Sequence, residues 1–130
     1  MVISRRQRGF TLIELMIVVS MILIMLSFAV PAYRQAILKA KETALKDDLF
    51  TLRRTIDEFT YDKKRAPQSL DELVQERYLV KIPADPMTNK ADWDPTMEVD
   101  PISEGVEIGI ADIHSYSNVI SSDGTAYSSW

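Results

Sequence analysis

The sequence contains no cysteine, a single histidine and only four glycines in 130 residues. Without cysteine there is no disulfide to staple a small fold and no thiolate to hold a metal. His114 has no second histidine or cysteine to share an ion with, and no H-E-x-x-H pattern occurs. None of the glycines falls in G-x-G-x-x-G spacing, so a phosphate-cradling loop is excluded. Ser115 follows His114 in the chain, but adjacency in sequence is not a catalytic triad. Internal repeats and low-complexity tracts are also missing. These gaps remove the familiar enzyme classes and predict a chain that is not an enzyme.

Positive charge is scarce outside one short segment. The formal net charge is −4. Arg5, Arg6 and Arg8 all precede Gly9, with no acid among them. Taking those three from the 15 Lys+Arg leaves 12 against 19 Asp+Glu, or about −7 for the remainder. Phosphate binding needs concentrated Lys and Arg, so no specific nucleic acid is expected as a partner.

What is present is a long uncharged run. Leu15 to Tyr33 carries no charged side chain. As a helix it reaches roughly 28 Å, close to the hydrocarbon thickness of about 30 Å. The arginines before it predict a cytoplasmic N-terminus and an exported remainder. A cleaved secretory signal, a plain single-pass anchor and a buried core helix compete with a spanning reading. The run is long for a signal peptide, whose apolar region is usually roughly 7–15 residues. Its only small-residue site, Ala29-Val30-Pro31-Ala32, contains a proline. It is apolar on every face, which argues against a core helix.

Glu14 stands at the head of this run. A carboxylate inside a bilayer costs on the order of 2.5–3.5 kcal/mol, less near the interface. An interfacial glutamate is the bland explanation; a residue that needs a partner is the functional one. The surrounding residues, Arg8-Gly9-Phe10-Thr11-Leu12-Ile13-Glu14-Leu15, resemble the class III signal of type IV pilins and of type II secretion pseudopilins. The resemblance is close over the first third of the chain and looser beyond. It implies cleavage after Gly9 by a prepilin peptidase and N-methylation of the new terminal amine on Phe10. It also implies that Glu14 of one subunit pairs with the Phe10 amine of a neighbour during filament assembly. Losing one partner of a buried pair costs roughly 3–5 kcal/mol, so such a pair would act as a register device.

Beyond Tyr33 the pattern becomes amphipathic. Ile37, Ala40, Ala44, Leu45, Leu49, Leu52, Ile56 and Phe59 recur every three or four residues, one face of a helix. Lys39, Lys41, Glu42, Lys46, Asp47, Asp48, Arg53, Arg54 and Asp57 mark the opposite face, with Glu42 and Lys46 as an i,i+4 ion pair. One helix is therefore expected from about Phe10 to Tyr61. Pro31 removes a backbone hydrogen bond within it and predicts a kink. Ser69-Leu70-Asp71-Glu72 is a capping box that opens a second helix, about Leu70 to Glu76. Thr96–Asp100, Val106–Ala111, Ile113–Val119 and Ala126–Trp130 read as strands, with a hairpin turn at Ser122-Asp123-Gly124-Thr125. Val106, Ile108 and Ile110 alternate, so all three are expected to face the long helix.

The expected fold is α+β and pilin-like: a long N-terminal helix whose second half carries a small antiparallel sheet of three or four strands. The expected organisation is a leader at 1–9, cleaved; a membrane or filament-core half at 10–33; an amphipathic half at 34–61; and a globular head at 62–130 with a short helix, a loop and the sheet. The section from Ala66 to Pro86 and the ending Asp112-Ile113-His114-Ser115…Trp130 resemble the G-type major pseudopilins. That likeness implies a Ca2+ loop. Asp112, Ser115, Ser117, Asn118, Ser122 and Asp123 offer the oxygen ligands calcium takes, and Asp112, Ser115, Ser117 and Asp123 are the candidate set. Against it, Asp123 is the only acid between Ser115 and Trp130; the alternative is a polar turn held by its own hydrogen bonds.

The resemblance thus implies a structural subunit of a helical homo-oligomeric filament, first of all the major pseudopilin of a type II secretion system. A type IV pilus subunit for motility, adhesion or DNA uptake is the alternative, and a signal-anchored periplasmic module that never polymerises is the reading from a different class. The implied partners are the prepilin peptidase, an inner-membrane assembly platform, minor pilins or pseudopilins, and the membrane. The implied location is the bacterial inner membrane, then a periplasmic or cell-surface filament.

Overall fold

The computed structural model describes residues 9–99 and 107–130. Asp100 and Val106, read above as strand residues, lie outside the described residues, as do Arg5, Arg6 and Arg8. The elements in order are helix α1 (Leu12–Lys63), helix α2 (Leu70–Gln75), strand β1 (Asp94–Val99), strand β2 (Ile108–His114) and a 3-10 turn (Tyr127–Ser129). The chain divides into two compact units, 1–37 and 38–130.

In the first unit every described residue is exposed. The apolar window of α1 is long enough to cross a membrane, and none of it is buried. Its two serines do not present unpaired hydroxyls. Ser20 donates to the Met16 carbonyl at 2.7 Å and Ser27 to the Leu23 carbonyl at 2.9 Å. Every polar group in a hydrocarbon setting needs such an internal partner. α1 runs unbroken through Pro31.

The second unit holds the core. Leu45, Leu49, Leu52, Ile56 and Phe59 of α1 form its spine. Leu73 of α2, Trp93, Ile110, Ile113 and Tyr127 complete it. Burying side chains such as Leu52 or Phe59 contributes roughly 1.5–3 kcal/mol each. The predicted stripe holds from Leu45 onward and fails before it: Ile37, Ala40 and Ala44 are exposed. α1 ends where Lys64 turns left-handed, at φ 56°.

α2 starts as the capping box predicts, with one change. Ser69 Oγ accepts the Glu72 N–H at 3.3 Å. The Glu72 carboxylate returns to the N–H of Gln68 at 2.8 Å, one residue earlier than the motif specifies, and also takes Arg65 at 2.5 Å. The helix closes in a Schellman arrangement. The Tyr78 N–H reaches the Leu73 carbonyl at 2.9 Å and the Arg77 N–H reaches that of Val74 at 3.1 Å. Arg77 takes the left-handed position, φ 64°, usually given to glycine.

Among the described residues the sheet has two strands rather than the expected three or four: β1 pairs antiparallel with β2. The expected strands Val106–Ala111 and Ile113–Val119 are partly fused. β2 runs on to His114 through an irregularity, where Thr96 pairs with Asp112 but Met97 with Ile110. The extra residue, Ala111, is exposed. Strict alternation would put Ile110 and Ile113 on opposite faces; the bulge lets both point into the core. Ile108, expected to face the helix, is 53% exposed. Within 126–130, Tyr127–Ser129 form the 3-10 turn rather than a strand, and Ala126 makes an isolated bridge to Ile120. Side chains take over the backbone groups here: Ser115 Oγ accepts the Ser117 N–H, and Ser121 Oγ the Asp123 N–H. Such local bonds compete with strand ladders. The expected turn is present, with Gly124 at φ 84°.

Candidate functional site

The N-terminal residues form the first candidate site. Phe10 is 84% exposed and Glu14 is exposed. Among the described residues, none other than its chain neighbours has an atom within 4 Å of where a Gly9 side chain would begin. Thr11 caps α1: its carbonyl accepts the Leu15 N–H and its hydroxyl the Glu14 N–H, each at 3.2 Å. Thr11 and Glu14 therefore have the spacing of a capping box, a signal present in the sequence but not used above. The cap places Glu14 in the first turn, where the helix dipole favours negative charge. Phe10 and Glu14 lie at the same end of the apolar helix, both exposed.

The candidate calcium residues are not brought together. Asp112 Oδ1 accepts Arg53 Nε at 2.6 Å and the Ile113 N–H at 2.7 Å. Ser115 is fully buried and its hydroxyl donates to the equally buried Asp85. Asp123 pairs with Lys46 at 3.5 Å. Ser117 meets Ser115 through its backbone N–H. Among the described residues, no three of His, Asp and Glu converge as a metal site. This donor set does not fit a calcium ion, because its two carboxylates each already face a cation.

The family described as the prokaryotic N-terminal methylation motif matches residues 4–30. The type II secretion system core protein G of Aeromonas hydrophila is 32% identical over 102 residues, 66% of this chain and 71% of that protein. The chain belongs to the type IV pilin-like family. The Escherichia coli (strain K12) core protein G is 31% identical over 100 residues, 65% of this chain and 69% of that protein. The type IV major alpha-pilin of Moraxella bovis is 40% identical over 58 residues, 45% of this chain. The chain spans 36% of that pilin's length. No solved structure matches the chain.

The pilin-like head holds a cluster that periodicity alone misplaces. Glu42 is not on the solvent face beside Lys46; it is only 6% exposed. Its carboxylate accepts the Ser122 N–H at 2.7 Å, the Ser122 hydroxyl at 2.5 Å and the Tyr127 hydroxyl at 2.8 Å. Lys46 turns instead to Asp123 and lies 4.2 Å over the Trp130 ring. The Ser122 hydroxyl and then its N–H hold Glu42 below the usual glutamate range, outweighing burial, with Tyr127 and Lys46 adding to them. Burial, then the Glu42 carboxylate, push Tyr127 up to about 12. No local signal in the sequence marks Glu42 as buried, because its partners lie 80 and 85 positions away.

A folded-state value lowered from the ordinary 4.5 means that the unfolded chain binds the proton more readily. The contribution of Glu42 is present above that ordinary value and is lost as pH falls through the depressed one. Urea unfolding from neutral to acid pH should show the midpoint falling in this range. Glu42→Gln should lower the midpoint at neutral pH and flatten its acid slope. Parallel curves for the two chains would deny Glu42 this role.

Proposed function

We propose that the chain is a structural subunit of a type IV pilin-like filament and, within that class, the major pseudopilin of a type II secretion system. One observation carries the reading: from Leu12 runs an apolar helix that no described residue buries, and its first turn holds a carboxylate, Glu14. A soluble protein would bury such a surface. A membrane stores it, and identical helices packed side by side can replace the lipid. The work is mechanical and uses no catalytic group.

In this account a prepilin peptidase removes residues 1–9 and exposes the Phe10 amine, which is methylated. The 10–33 segment holds the subunit in the inner membrane with its N-terminus cytoplasmic, while the amphipathic 34–61 segment and the 62–130 head are exported. An inner-membrane platform and minor pseudopilins then assemble the subunits. Pro31 is the place where the helix would loosen on extraction, since it lacks an N–H for the i−4 carbonyl.

The test is the N-terminus of the mature protein. Intact-mass and N-terminal analysis should find a chain beginning at Phe10 and carrying one added methyl group. An intact Met1, or a terminus near Ala32, would overturn the reading. The similarity to the Moraxella bovis alpha-pilin over 58 residues supports a type IV pilus as the second reading. Deleting the gene and assaying protein export against twitching and DNA uptake separates the two. A mature, methylated chain that never appears in sheared filaments would instead indicate an anchored module.

A further inference from the structure

Three oxygens of the C-terminal segment converge on one donor side chain. In this chain the gathering cation is on α1. Arg53 Nε donates to Asp112 Oδ1 at 2.6 Å. Its Nη2 donates to the Ile113 carbonyl at 3.0 Å and to the main-chain oxygen of Trp130 at 2.7 Å. A side-chain carboxylate and two main-chain oxygens are the oxygen types a calcium ion collects. A guanidinium reaches them with several donors in a fixed fork.

We infer that Arg53 serves as the resident cation of this head, so that its C-terminal segment closes without a divalent ion. Further contacts agree. Eleven residues earlier on α1, three turns at about 3.6 residues each, Glu42 holds Ser122 and Tyr127. Lys46 meets Asp123. Asp85 accepts Ser115 and, through Oδ1, the Met87 N–H at 2.7 Å. A divalent ion entering beside Asp112 would have to displace a guanidinium of like charge. Calcium prefers six to eight oxygens, and these oxygens already have donors. The inference does not depend on which filament the chain builds.

The experiment uses the full chain in detergent. Both tryptophans, Trp93 and Trp130, lie in the head, so their fluorescence follows its unfolding alone. Wild-type Tm should move by less than about 1 °C between EDTA and millimolar CaCl2, since only a ligand that binds the native state raises Tm. Terbium added as a calcium probe should show no saturable emission sensitised by Trp130. Arg53→Met, which keeps the apolar stem and removes the fork, should lower Tm by about 5–10 °C. It should also speed chymotryptic cleavage after Tyr127. Arg53→Lys restores a charge without the fork and should fall between the two, so the assay stays informative if Arg53→Met does not fold. A calcium-dependent rise in wild-type Tm, saturable terbium emission, or wild-type stability in Arg53→Met would each overturn the inference.

Discussion

Glu14→Ala should insert into the inner membrane at wild-type levels and fail to form filaments. The first half of this result follows from the cost of the carboxylate. A charge in the hydrocarbon costs about 2.5–3.5 kcal/mol at the centre and less near the interface, so removing it cannot make insertion harder. The span itself, Leu15 to Tyr33, is untouched. The second half follows from what replaces lipid in a fibre. There the Phe10 amine would be enclosed among apolar helices and would keep its charge only beside a carboxylate. Taking away one partner costs roughly 3–5 kcal/mol, which is about two to three and a half orders of magnitude per contact. Every subunit added would incur the same loss. Membrane fractionation with immunoblotting measures insertion, and shearing followed by electron microscopy measures filaments. Glu14→Gln, which keeps shape without charge, should behave like the alanine chain. Normal fibres from either would remove Glu14 from assembly.

Gly109→Ala should be the most damaging one-atom change in the head. A side chain there would start 2.4 Å from the Ala66 Cβ and 3.1 Å from the Ala66 carbonyl carbon and oxygen. Neither wall can retreat easily. The Ile110 N–H bonds the Pro67 carbonyl at 2.8 Å, fastening β2 to this segment, and Pro67 is fully buried. Overpacking of this kind costs about 1–3 kcal/mol. In a head of this size each kcal/mol lowers Tm by about 4–8 °C. Ala66→Gly in the same chain removes the nearest atom but not the carbonyl, so it should recover part of the loss. Thermal unfolding of the single and double variants measures both effects. An unchanged Tm for Gly109→Ala, or no recovery in the double variant, would show that the two strands of chain can part.

Much of the framework is written in local residues. The cap at Ser69 and the stripe from Leu45 to Phe59 follow from neighbours three or four positions apart, which is why both were readable in advance. The strand pattern was less legible. Ile110 and Ile113 share a face only because Ala111 bulges, and nothing in the alternation of those residues announces the bulge. The left-handed positions at Lys64 and Arg77 carry no glycine to mark them. The polar C-terminal segment has strand-like composition, but its serines satisfy their own backbone and leave a 3-10 turn.

By itself the sequence determined the N-terminal pattern: three arginines before Gly9, then an uncharged helix headed by Glu14. Such a segment needs no tertiary partner to be recognised, because its meaning lies in its contrast with water. Only the tertiary structure decided what the charges of α1 do. Periodicity sorts residues by polarity and so sent Glu42 and Arg53 to the solvent. In the fold both turn to the C-terminal segment, because hydrogen bonds from Ser122 and Tyr127 offset the desolvation of one and three oxygens suit the fork of the other. Those partners are 59 to 85 positions distant, a separation that only folding closes.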